Sequence, residues 1–454
     1  MKTNTSTPFR WPLALCAFAS VMLLGSRLPA QDASNGGYDE IRVLEGPGGQ
    51  KIDIAEPRGA RSALFRLATT GRVDNADDQK LFDDYFRFRV AELTWKENLA
   101  SLTDKRSDLK RLLSRLGQAS APDLHTQLNA LLLSEMPKIA LDDGYHPAAR
   151  ANCMLIVADL NRQEPRPGGA GAVPLPEALP VLLDAVQDTD QHDVVRVTAL
   201  RGIVRHAESN MAQNVRKGVV DAMLQLVTAK EPAENKSKDG NLWLCMMAAD
   251  VLGTLAAQGP EANLPEVCQA LAGLVAQADG EIWVRCQAAE SLGALEPKSF
   301  PANGVGKIAA DLASLVVDIS KANAQTAAEV DTAAAPPKLR EILAAELVDQ
   351  LTQVKSALVG RGEPPAANRG LRAAADNDAA RQLIDGLVTK IDEIVVISGD
   401  TKLSLTDLAK SVQDKGLELE TWLKTQTGKA TADPVAVGAS VRPKPDTTPV
   451  NLSR

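Results

Sequence analysis

The chain has 454 residues, with 50 lysines and arginines against 58 aspartates and glutamates and a formal charge of −8. That balance argues for solubility and against a general nucleic-acid surface, which needs a strongly basic face. Seven Phe, three Tyr and five Trp among abundant Ala and Leu suit packed helices and not a β-sandwich.

At the amino terminus, Lys2 and Arg10 precede the apolar run Trp11 to Gly25, followed by small or turn-forming residues up to Leu28, Pro29 and Ala30. This is the pattern of a secretory signal peptide, with cleavage expected near Ala30. The apolar core is shorter than the roughly 20 residues of a transmembrane helix, and no stable membrane insertion is expected after cleavage. The expected product is exported, periplasmic or extracellular. Cys16 lies inside the apolar run, where lipidation is not expected.

Residues 31–76 are the least helical. IRVLEGP and GGQKIDIAEP predict two short strands around a Gly-rich turn, forming either a small amino-terminal cap or a mobile leader. Asp77 to about Leu116 reads as one helix, with Gly117 as its stop and Phe82, Tyr85, Phe86, Val90, Leu93 and Leu102 as its apolar face. The spacing of these residues fits burial against the next helix better than a ligand platform. Pro122 and Asp123 open a further helix carrying Leu128, Leu131, Leu132 and Met136.

Four segments between Pro147 and Pro297 can be superposed: HPAARANCMLIVADL, HDVVRVTALRGIVRHA, LWLCMMAADVLGTLA and IWVRCQAAESLGALE. The last two align without a gap at an offset of 40 residues, matching Trp243 with Trp283, Ala248 with Ala288, Leu252 with Leu292 and Leu255 with Leu295. Setting Arg150, Arg196, Cys245 and Arg285 level brings Cys153, Ala199, Ala248 and Ala288 to one small-residue position. Val157, Ile203, Leu252 and Leu292 follow one helical turn later. First helices of each pair are read at Leu179 to Val186, Val215 to Leu226 and Val267 to Ala276. Two interruptions stand out, the Pro- and Gly-rich loop Gln163 to Pro176 and the lysine-rich insertion Lys230 to Lys238; such insertions often border a binding face.

Recurrence at about 40 to 50 residues marks a solenoid, in which a helical hairpin must stack on its neighbours to bury its apolar face. The chain resembles the HEAT or armadillo-like repeat class over residues 147–297. The resemblance rests on an acidic turn before V-R-x-x-A, seen as Asp193, Val195, Arg196 and Ala199 and again as Glu281, Val284, Arg285 and Ala288. It implies an all-α, right-handed α-α superhelix, here with extra helices at both ends, in a helical region spanning 77–297. It also implies that Asp193 with Arg196, and Glu281 with Arg285, link successive repeats. Cys245 departs from the pattern by lacking the arginine, and Arg150 by following Pro147 in place of an acid.

Beyond Pro297 the motif fades. Val305 to Ile319 and Leu339 to Leu358 predict amphipathic helices separated by the weakly structured ANAQTAAEVDTAAAPP. GRGEPPAANRG reads as a break, and Asp378 to Val396 and Leu405 to Thr425 as two more helices. Residues 298–428 either continue the solenoid or form a separate bundle. The Pro-containing tail, residues 429–454, is expected to be disordered.

Removal of the leader leaves Cys153, Cys245, Cys268 and Cys286, read as buried and reduced; Cys268 with Cys286 is the best alternative pair for a disulfide. His125, His146, His192 and His206 are scattered without metal-ligand spacing. His146 and His192 occupy comparable turns, where helix-start chemistry accounts for them. Phosphate-loop, dinucleotide and nucleophile-elbow motifs are absent. No catalytic, cofactor-binding or metal-ligating residue is assigned, and no cofactor is expected. The functional expectation is a non-catalytic scaffold binding another protein, with self-association left open; the alternatives are a structural or assembly component and an enzyme with an unfamiliar site. Binding through Trp243 or Trp283 requires their exposure, whereas their repeat-equivalent positions favour burial between layers.

Overall fold

The computed structural model describes residues 37–45, 51–70, 73, 75–118, 122–166, 168, 171–209, 211–229, 236–329, 338–362 and 364–430. The leader up to Ala30, residues 230–235 of the lysine-rich insertion, residues 330–337 and the tail from 431 lie outside the described residues.

The described residues form an all-α protein of sixteen helices packed mainly in sequence order. A short antiparallel ribbon, β1 (Val43–Glu45) with β2 (Lys51–Asp53), precedes them. The amino-terminal helices are α1 (Ala60–Thr70), α2 (Ala76–Ala91), α3 (Leu102–Gln118) and α4 (Pro122–Ala140). Next come α5 (Pro147–Asp159), α6 (Ala178–Gln187), α7 (Asp193–Glu208), α8 (Gln213–Thr228), α9 (Lys238–Gln258), α10 (Pro265–Val275) and α11 (Ile282–Leu292). The last five are α12 (Val305–Glu329), α13 (Leu339–Val359), α14 (Gly370–Ala374), α15 (Asp378–Ser398) and α16 (Leu405–Ala430).

Helices α5, α7, α9, α11 and α13 form one continuous row, each packed on the next, while α6, α8, α10 and α12 lie beside them as pair partners. Past α11, α12, α13, α15 and α16 also pack on one another, α12 against α16 most extensively. Helix α9 is long and apolar enough to cross a membrane by composition, but 67% of its apolar window is buried. A helix apolar on all sides is satisfied by neighbours on all sides, and here those are α7, α8 and α11.

The helix starts follow local chemistry. The His146 and His192 imidazoles each accept, at Nδ1, the backbone N–H two residues on (3.1 Å from Ala148 and 3.2 Å from Val194). Both are N-caps, as their turn positions suggest, and burial lowers the pKa of both imidazoles. Asn75, Ser237 and Asn377 cap α2, α9 and α15 in the same way.

The arginines of the aligned segments act at the opposite end of the preceding helix. Arg150, Arg196 and Arg285 are buried, and each donates from Nε to a carbonyl ten residues back: Ala140 at 3.2 Å, Val186 at 3.0 Å and Val275 at 3.0 Å. These carbonyls sit in the last turns of α4, α6 and α10, where a cation also meets the negative end of the helix dipole. Where the arginine is replaced, the Cys245 thiol donates to Leu226 O at 3.3 Å, in the last turn of α8. The bonds between layers use other partners than the acid–arginine pairs implied by the resemblance. Arg150 Nη2 reaches Gln191 Oε1 at 2.6 Å, Asp193 Oδ2 accepts from Ser237 N at 2.8 Å, and Arg285 Nη1 meets Asp318 Oδ2 at 2.8 Å.

Close crossings along the row are marked by glycine. A Cβ at Gly253 would lie 2.8 Å from Ser291 Cα, one at Gly202 3.1 Å from Ala158 Cα, and one at Gly293 2.1 Å from Ser356 O. Backbone atoms obstruct all three crossings, so a methyl group there must part the helices.

Two sequence expectations are corrected. The single helix over Asp77 to Leu116 is two: Trp95 is extended, at φ −78° and ψ 132°. Its indole is taken up by Ile41 O at 2.8 Å, and Thr94 Oγ1 caps Ala91 O while receiving Ile41 N. Tertiary bonds to residues 37–45 thus override helix propensity, and that segment is a fastened cap. The stretch ANAQTAAE is the last part of α12, since its alanines favour helix. The cysteine expectation stands: all four cysteines described are buried free thiols, and the alternative pair Cys268 and Cys286 is unbridged.

Three stability outcomes are expected in urea unfolding. Arg285→Met, which removes both the Val275 and the Asp318 bonds from a buried site, should cost about 3 kcal/mol. Gly293→Ala should cost about 2 kcal/mol through overpacking. Gly218→Ala, in α8 with nothing within 4 Å of the added Cβ, should stabilise by about 0.5–1 kcal/mol.

Candidate functional site

The features singled out in the sequence are architectural in part. Trp243 and Trp283 are both half-buried and pack against each other, ring centroids 5.2 Å apart, across the α9–α11 layer boundary. The end of the lysine-rich insertion clasps the preceding turn: Lys236 Nζ donates to Gln191 O at 2.7 Å. Gln163 to Pro176 is better ordered than a plain loop. Its start pairs as β3 (Asn161–Gln163) with β4 (Val173–Pro174). Asn129 Nδ2 donates to Asn161 O at 2.9 Å, and Asn161 Nδ2 to Glu164 Oε1 at 3.1 Å. His125, Asn129, Asn161 and Glu164 are all buried there. Gly117 makes room for this cluster, since a Cβ would lie 2.5 Å from Glu164 Cγ.

A charged seam runs across one side of the helix row. At its amino-terminal end, Lys110 and Arg205 approach Asp159 at 3.1 and 3.7 Å, and Arg106 and Arg201 stand close by in the same electrostatic neighbourhood. Further along it turns acidic: Glu208 from α7, Asp250 from α9, Glu290 from α11, and Glu346 and Asp349 from α13. One cation from the segment after α13 is planted among them. Arg361 Nε lies 3.1 Å from Glu290 Oε1 and its Nη2 3.3 Å from Asp250 Oδ1. Gln287 bridges the same two carboxylates at 3.3 and 3.4 Å.

The electrostatics of the seam follow from crowding. Burial, reinforced by like-charged neighbours, raises the Glu208 and Glu346 carboxyls above the usual range. Burial also raises Glu290, against the relief that Arg361 supplies, and Asp250 and Asp349 push the same way as burial. For Arg361 itself burial works against the charge, but Glu290 and Asp250 overcome it and its pKa is raised. Glu208, Glu346 and Asp349 nonetheless remain open to water. The arrangement is therefore an acidic, incompletely neutralised surface whose carboxylates gain from any added cation.

This seam escaped sequence reading because its members come from six helices and the segment after α13, and because GRGEPPAANRG reads as a break. That segment instead binds the row. Arg361 N donates to Gly293 O at 2.9 Å, Gly370 N to Leu295 O at 3.1 Å, and Arg369 Nη1 to Ala256 O at 2.8 Å. One signal was present: Asp250 and Glu290 stand five residues after the levelled Cys245 and Arg285, on one face of consecutive row helices. Among the described residues, no three His, Cys, Asp or Glu side chains group to hold a metal ion. Burial pushes the Cys245 thiol up to about 11 and Cys268 to about 12, and raises Cys153 and Cys286 as well. None of the four has the lowered pKa of a reactive thiol.

No family model matches the chain, and no curated protein does. Among solved structures it is similar to a crystal structure described as an engineered protein. The two share 13% identity at a TM-score of 0.31, and the match covers 83% of this chain and 98% of that one.

His206, buried beside Arg205 in α7, has its pKa lowered to about 4 by burial and by that arginine. Between its ordinary pKa of about 6.5 and that value, the unfolded chain takes up a proton that the native chain does not. This histidine's contribution is therefore present above the ordinary pKa and lost as pH falls toward the native one. His206→Gln is expected to remove about 3 kcal/mol of the stability lost between neutral and mildly acid pH. Urea titrations of both proteins across that range, compared as a difference, check it.

Proposed function

We propose that this chain is a non-catalytic protein-binding scaffold: an exported, right-handed HEAT or armadillo-like solenoid that holds a partner along the charged seam of its helix row. The observation that carries the reading is the seam itself. Carboxylates from four successive row helices are crowded together, Glu208, Glu346 and Asp349 among them open to water, and Arg361 is planted between Asp250 and Glu290. A surface so charged favours a basic partner segment over α9 to α13. The amino-terminal half, with Arg106, Arg201 and Arg205 around Asp159, disfavours the reverse orientation. Electrostatic complementarity of this kind sets orientation and association rate more than total affinity. The half-buried Trp pair supports a layer-fastening role for those rings, leaving the seam to do the recognition.

The test is affinity capture from an extracytoplasmic extract with the mature protein, beside its Glu208→Gln/Glu290→Gln variant. One protein recovered reproducibly by the wild type, and at least ~10-fold less by the variant, is the expected result, given about 1 kcal/mol or more per close charge pair. Because a bound cation favours ionised carboxylates, affinity for that partner is expected to rise with pH through the range of the raised carboxyls. Recovery of self-association alone would replace this reading with that of an assembly component.

A further inference from the structure

Helices α1, α2 and α3 border a cleft of about 380 Å³, a size proper to small-molecule sites. It lies apart from the seam, and its floor is apolar: Leu64, Tyr85, Phe86 and Leu116 are buried beneath it. The aromatic face read in the sequence as core is core, yet two of its rings also form this floor. Phe65 stands in the lining 70% exposed, an unusual position for one of seven phenylalanines. The charges of the lining are three arginines, Arg89, Arg111 and Arg115, against Asp108 alone.

The arginines differ in what they have left to give. Arg89 is buried and held by Glu92 at 2.6 Å, with Asp108 3.7 Å from its other terminal nitrogen. Arg111 pairs with Asp108 from an exposed position. Arg115 is exposed and makes no ion pair among the described residues. The helical run RLLSRL brings these features together: Arg111 and Arg115 fall on one side of α3, and Leu112 and Leu116 on the adjoining side.

We infer that this cleft binds a monomeric anionic amphiphile, an acyl or aryl carboxylate. Its apolar part lies against Phe65 and Leu112, and its carboxylate is taken by Arg115 with Arg111. A planar guanidinium pairs with a carboxylate in two parallel hydrogen bonds, while a cationic amphiphile of the same length meets a lining of net positive charge. Isothermal titration of the mature chain with sodium decanoate, with decyltrimethylammonium and with anionic phospholipid vesicles tests this. Saturable binding of decanoate and none of the cation is expected. Arg115→Gln and Phe65→Ser should each weaken it ~10-fold, the effect of losing one charge-assisted contact or one apolar anchor. Both side chains are exposed, so the unfolding midpoint should not move. The inference is overturned by equal uptake of the cation, by undiminished binding in Arg115→Gln, or by binding to vesicles without binding of free decanoate.

Discussion

Everything in the helix row depends on one hydrogen bond repeated: a buried side chain at the start of a row helix closes the last turn of the helix before it. A helix end buried without partners for its carbonyls is costly, and these pairs bury theirs at the hairpin turn. A guanidinium ten residues on answers that need, and the same group has nitrogens to spare for the next layer, as Arg150 does with Gln191 and Arg285 with Asp318. Pair geometry and stacking geometry are thereby set by one residue.

The pair formed by α8 and α9 shows what happens when that residue changes. The Cys245 thiol bridges 19 residues of sequence, across the lengthened connection, and still reaches a carbonyl in the last turn of α8. A thiol has one donor and cannot also hold the neighbouring layer. Apolar contact takes over: Leu244 to Gly253 is buried without interruption, and Gly253 lets α11 approach to backbone distance. The most apolar helix of the row thus sits where the polar fastening is weakest, and its hydropathy reports that compensation.

The helical pairs were legible in the sequence because their determinants are local and periodic: the small-then-large positions, the histidine caps and the levelled arginines each recur at fixed offsets. The helix break at Trp95 was not, because it is made by residues 37–45, more than fifty positions away. The seam was half legible. Asp250 and Glu290 share a level in the alignment, but Arg361 reaches them only because the segment after α13 folds back over α9 and α11. Composition marks such a segment as a break; only its bonds make it a strap.

That strap joins the architecture to the proposed recognition surface. Arg361 is at once the segment's anchor, through its backbone bond to Gly293 O, and the only guanidinium among the described residues paired to the Asp250 and Glu290 carboxylates. The basic partner proposed for the seam would compete with Arg361 for the same two acids. Arg369 remains tied to the carbonyl ends of α9 and α11 whichever cation wins. The row would therefore keep its closure if the acidic face changed occupant. A guanidinium held by backbone at one end and by carboxylates at the other is suited to that exchange, since leaving the acids does not release the segment.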